Sequence, residues 1–134
     1  MSAALNHFRL DGRVVLVTGA SSGIGEAIAH LLAHYGAQVI CTSRKLDGCQ
    51  AVAEAIRAKG LQAEAMAMHI GDTAAIDALF DGLASQGRHI DILVNNAGIQ
   101  HVAPVEDFPI EKWDAVIAIN LSSACHTIRA AVPG

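Results

Sequence analysis

The stretch that most constrains this chain is VVLVTGASSGIGEAIAHLL, residues 14–32. An apolar run leads into Thr18 and then into Gly19, Ser21, Ser22, Gly23 and Gly25, after which a helix-like pattern begins. The run reads as a strand buried on both faces. Gly19 allows a tight turn, the small Ser21 and Ser22 keep the approach open, and Gly23 and Gly25 let the helix start close to the sheet. A backbone cleared in this way suits a phosphate. Unpaired amides at a helix start, at its positive dipole end, favour an anion, most naturally a dinucleotide pyrophosphate. The plainer alternative is a tight strand-to-helix turn with no ligand. A nucleoside-triphosphate loop is disfavoured because no Gly-Lys-Ser/Thr follows.

Further apolar runs predict strands over 38–42, 63–70 and 91–95, alongside the first at 13–17. Helical patterns lie between them. The first places Ile24, Ile28, Leu31 and Tyr35 on one face; the second, 46–59, turns Val52 and Ile56 inward; the third groups Ile76, Leu79, Phe80 and Leu83. Gly36 and Gly60 stand where a left-handed residue ends a helix, and Asp72 is placed to cap the third. After a breaker-rich loop, 98–109, a fourth helix from Ile110 carries Trp113, Val116 and Ile117 through Asn120 toward Ala131, and Pro133 ends it. Alternating strands and helices predict a three-layer α/β domain, 1–134, with a parallel sheet covered on both sides.

Composition excludes several function classes. Nine Lys and Arg against 13 Asp and Glu give a net charge of -4, without the basic stripe that nucleic acid binding needs. No apolar run is long enough to span a membrane, and residues 1–10 carry Asn6, His7 and Arg9 where a secretory signal would be apolar. Cys41, Cys49 and Cys125 form no even set and no C-x-x-C pair, which fits packed, reduced thiols in the cytoplasm. His30 and His34 share a helix face with Glu26 but lack a completing ligand, so a solvated stripe is expected and no metal.

TGASSGIG, then NNAG (Asn95 to Gly98), then IN ending at Asn120 resemble the short-chain dehydrogenase/reductase family, in order and at the family's spacing. The resemblance implies a Rossmann-type sheet of order 3-2-1-4 that binds NAD or NADP for hydride transfer. It implies that Gly19, Ser21, Ser22 and Ile24, with Gly23 and Gly25, hold the pyrophosphate, and that Asn96, Ala97 and Gly98 line the ribose and nicotinamide side. Asn95 would brace the sheet. His69 and Ile70 stand where the family usually has an aspartate near the adenine. At the end of strand two, a carboxylate would suit NAD and repel the 2'-phosphate of NADP. This chain has Ser43, Arg44 and Lys45 there instead, which predicts NADP, with NAD as the alternative.

Reduction of a carbonyl also needs a proton donor, which the family supplies with Tyr-x-x-x-Lys and an upstream serine. The one tyrosine, Tyr35, sits in the first helix's apolar stripe and reads as core, and Ser122 and Ser123 read as helix-packing residues. Compared with the family, the sequence stops before the fifth strand, and only Asn120 of the catalytic set remains. Strand four would then present an open edge, predicting self-association through 92–95 and the helix of Trp113, or pairing with a C-terminal segment. The second half resembles D-3-hydroxybutyrate dehydrogenases, in which a glutamine binds the substrate carboxylate, and the matching residue is Gln100. The first half, with TSRKLDGCQAV, is more similar to NADP-type carbonyl reductases of the family. A natural sub-branch, an ancestral-like sequence and a chimera all account for this mixture. Two functions stay open: the cofactor-binding part of an oxidoreductase, inactive alone, or a non-catalytic nucleotide-binding or self-assembling module.

Overall fold

The computed structural model describes residues 6–134, so the first five residues of the amino-terminal stretch lie outside the described residues. Four strands, β1 (Val14–Thr18), β2 (Gln38–Ser43), β3 (Ala63–Ala67) and β4 (Ile92–Val94), form a sheet of order β3-β2-β1-β4. All three pairings are parallel, with Val15 opposite both Val39 and Ile92. Helices α1 (Gly23–His34), α2 (Leu46–Arg57) and α3 (Thr73–Ser85) connect successive strands. A loop with one 3-10 turn then leads to α4 (Ile110–Ile117), a π-helical segment (Ala118–Ser122) and α5 (Ser123–Ala131).

Strand periodicity builds the three layers. Val15, Val17, Val39 and Cys41 point to one face and pack with Ala29 and Ala33 of α1 and with Cys49, Val52 and Ile56 of α2. Leu16 and Ile40 point to the other, where they meet Leu83 and Ile90 and the half-buried Leu79 and Phe80. Leu16 and Ile40 are fully buried, each contributing about 1.5–3 kcal/mol of apolar transfer. Gly36 and Gly60 adopt left-handed φ of 102° and 78° beyond their helices, and Asp72 accepts hydrogen bonds from the amides of Ala74 and Ala75.

Helix α1 departs from the predicted face. Its buried residues are Gly25, Ala29 and Ala33, whereas Ile24 and Leu31 are 73% and 55% exposed. At its first turn the reason is distance: a Cβ at Gly25 would lie 2.2 Å from the Gly19 carbonyl oxygen, while Ile28, of the predicted face, and Leu32 pack partly buried beside Ala29 and Ala33. Tyr35 is half-buried at the end of α1, edge-on to His34, and is not a core residue. Strand β3 ends at Ala67 rather than running to residue 70, because its partner β2 ends at Ser43, whose carbonyl accepts the Met68 amide. Cys41 and Cys49 are buried, but Cys125, expected to be packed, is exposed. The expected continuous fourth helix is interrupted by the π-helical segment around Asn120.

Candidate functional site

The carboxyl ends of β1 and β4 converge on Thr18. Its hydroxyl donates to the Val94 carbonyl (3.3 Å) and accepts from the amides of Asn96 and Ala97, both at 3.0 Å. The Asn96 side chain donates through Nδ2 to the carbonyls of Thr18 and Gly19, each at 3.1 Å. Asn96 therefore braces the glycine turn and does not face the space above it. Gly19 lies at φ 64°, and a Cβ there would stand 3.0 Å from the Ala97 Cα. A side chain at position 19 would therefore crowd the loop after β4.

Ser22 is extended and precedes α1 without a side-chain capping bond, leaving the first-turn amides of α1 free of side-chain partners at the helix's positive end. Ser21 is half-buried, Gly23 and Ile24 are exposed, and Gly25 is buried against Gly19. These five residues frame the turn.

A cavity of about 510 Å³ opens beside it, lined by Gly19, Ser43, Arg44, His69, Ile70, Ala97 and Gly98 among the predicted residues. Lys45, Gln100 and Asn120 do not line it. Among the described residues, Arg44 carries the only formal charge on that lining, and no carboxylate stands there. The Ser43 hydroxyl donates to the Lys45 carbonyl at 2.7 Å, so in this structure its proton is not directed at the cavity. Lys45 is the extended residue that precedes α2.

Sequence reasoning missed one wall, made by Ala115, Ala118 and Ile119. Their small or apolar character carries no local signal; the π-helical segment brings them over the sheet end. Asn120 is tied to the loop after β4, its Oδ1 accepting from the Ile99 amide and its Nδ2 donating to the Ile99 carbonyl. Asn95, expected to brace the sheet, accepts instead from the buried Thr127 hydroxyl at 2.7 Å, joining the end of β4 to α5.

A second, more open groove of about 710 Å³ follows the outer side of α1, where Lys59 Nζ lies 3.2 Å from His30 Nδ1. Among the described residues, no three His, Cys, Asp or Glu side chains are grouped to hold a metal ion, and no helix is long and apolar enough to cross a membrane.

The short chain dehydrogenase family model matches residues 13–134. A D-beta-hydroxybutyrate dehydrogenase of Cupriavidus necator is 48% identical over 126 residues, 93% of this chain and 48% of the relative. A D-threitol dehydrogenase of Mycolicibacterium smegmatis is 42% identical over 86% of this chain and 44% of its own length. Among solved structures, a gluconate 5-dehydrogenase from Burkholderia cenocepacia, in complex with NADP and tartrate, superposes with a TM-score of 0.90. It is 35% identical and is matched over 97% of this chain and 51% of its own. A metagenomic short-chain oxidoreductase in complex with NADP gives a TM-score of 0.87 at 42% identity, over 92% of this chain and 57% of its own. The chain spans about half the length of the curated relatives it matches.

Proposed function

The chain belongs to the short-chain dehydrogenase family, and from that membership we propose that residues 1–134 act as one unit that binds NADP(H) in an oxidoreductase interconverting an alcohol and a carbonyl. The observation that carries this reading is the cavity beside the Gly19 turn, whose lining holds Arg44 and no carboxylate. The turn suits a pyrophosphate because its packing leaves no room for a Cβ at Gly25 and little at Gly19, while the first turn of α1 carries no side-chain capping bond. Arg44 suits a 2'-phosphate, which a carboxylate at this position would repel. Structural neighbours solved with NADP support the same choice.

Bound, the nicotinamide supplies or accepts the hydride. This chain's own part is to bind and to orient: Thr18 and Asn96 fix the turn, and Asn120 holds the loop of Ile99 beside the cavity. Gln100, exposed on that loop, is the candidate contact for a small carboxylate-bearing substrate. Proton transfer needs groups outside these residues, since the one tyrosine, Tyr35, lies at the end of α1, away from the cavity. We further propose a cytoplasmic protein, supported by the free thiols Cys41 and Cys49. It associates with a second copy or a following segment through β4 and the exposed Trp113.

Titration of the chain with NADP and NAD tests the assignment. NADP is expected to bind about tenfold more tightly or better, and tighter binding of NAD overturns the choice. Turnover of ketones with NADPH by this chain alone would overturn the inference that proton donors lie outside it.

A further inference from the structure

Gly48 is the third residue of α2, and its φ is not positive, so its own backbone does not require glycine. Alanine there would favour the helix. What demands glycine is the turn on the neighbouring loop: a Cβ at Gly48 would lie 2.8 Å from Ser21 Cβ. Two carbon atoms rest in contact at about 3.5–4.0 Å, so one side would have to move. Helix α2 is held from behind, because Cys49, Val52 and Ile56 are buried in the core. The turn is held from below, because Ala20 is buried and donates its amide to the Thr42 carbonyl at 3.1 Å. The same segment also reaches the cavity: Ser43 and Arg44 line it, and the Ser43 hydroxyl fixes the Lys45 carbonyl at 2.7 Å. Residues 43–48 thus border the cavity at one end and press on the turn at the other.

We propose that Gly48 is a positioning residue for dinucleotide binding. Its missing side chain lets the first turn of α2 seat the backbone of Ser21, and the amides that follow, where the pyrophosphate is held. Gly48 acts only through Ser21. This rests on the reading of the turn as the pyrophosphate cradle.

The test measures dissociation constants of NADP and NAD for the wild-type chain, Gly48→Ala, Ser21→Gly and the double variant, each scaled to the folded fraction read by circular dichroism. Gly48→Ala is expected to weaken both dinucleotides about tenfold and by the same factor, since both carry the pyrophosphate and a displacement near 1 Å is costly. Ser21→Gly removes the Cβ that alanine would meet, so adding Gly48→Ala to it should change neither constant by more than about twofold. The proposal is overturned by Gly48→Ala binding as wild type does, by weakening of NADP alone, which places the effect at the 2'-phosphate, or by a Gly48→Ala penalty that persists beside Ser21→Gly. Loss of all binding in Ser21→Gly also overturns it, because the cradle then acts through that side chain and not the backbone. If Gly48→Ala does not fold, the double variant decides: binding equal to that of Ser21→Gly upholds the proposal, and failure to fold or to bind overturns it. Binding of neither dinucleotide to the wild-type chain overturns the cradle reading itself, a result distinct from the others because no wild-type constant then exists.

Discussion

Asn120 and Ile99 share a two-way hydrogen bond: Asn120 Oδ1 accepts from the Ile99 amide at 2.9 Å and Nδ2 donates to the Ile99 carbonyl at 2.8 Å. The pair fastens the π-helical segment Ala118–Ser122 to the loop after β4. Asn120→Ala removes both bonds from an exposed position and is expected to cost about 1–2 kcal/mol. Hydrogen exchange checks the location of the effect: protection of the Ile99 amide should fall while that of Val15 and Ile40 stays.

Gly25 and Gly23 sit two residues apart but should respond differently to alanine. A Cβ at Gly25 meets the Gly19 carbonyl at 2.2 Å and Asn96 Nδ2 at 2.5 Å, so Gly25→Ala is expected to destabilise by about 3 kcal/mol and to abolish dinucleotide binding. At Gly23 the space is open and only the φ of 59° opposes a side chain, so Gly23→Ala should cost about 1–2 kcal/mol and leave binding measurable. Chemical denaturation and titration of both variants make the comparison.

Arg44→Ala should weaken NADP by about tenfold or more and NAD by less than about threefold, if the guanidinium of this lining residue meets the extra phosphate as proposed. Lys45→Ala, off the cavity lining, should have the smaller effect. Repeating the titration at higher salt should narrow the difference between the two cofactors.

Thiol chemistry should separate the three cysteines. Cys125 is exposed and should react at once with a thiol reagent, whereas Cys41 and Cys49 are buried and should react only on unfolding. Burial pushes the Cys41 thiol from 9.0 up to about 12, with the neighbouring Cys49 adding to the shift. Between those values the unfolded chain loses this proton first, so the contribution is fully present below pH 9 and declines as pH rises toward 12. Melting curves from pH 7 to above 9 should show that decline, with a shallower slope in Cys41→Ala.

The sequence by itself determined the alternation of strands and helices, the helix ends at Gly36 and Gly60, the cap at Asp72 and the cleared turn at Gly19. These are local matters: side-chain period, φ preference and capping chemistry act within a few residues of their cause. Tertiary structure alone decided that α1 would fully bury Gly25, Ala29 and Ala33 while Ile28 and Leu32 pack only partly buried beside them, because the Gly19 turn leaves no room for a side chain at position 25. It also decided that Asn96 would brace the turn, that Ala115, Ala118 and Ile119 would complete the cavity, and that Asn120 would bond Ile99. Each of those depends on contact between segments far apart in the chain, and no window of sequence contains both partners.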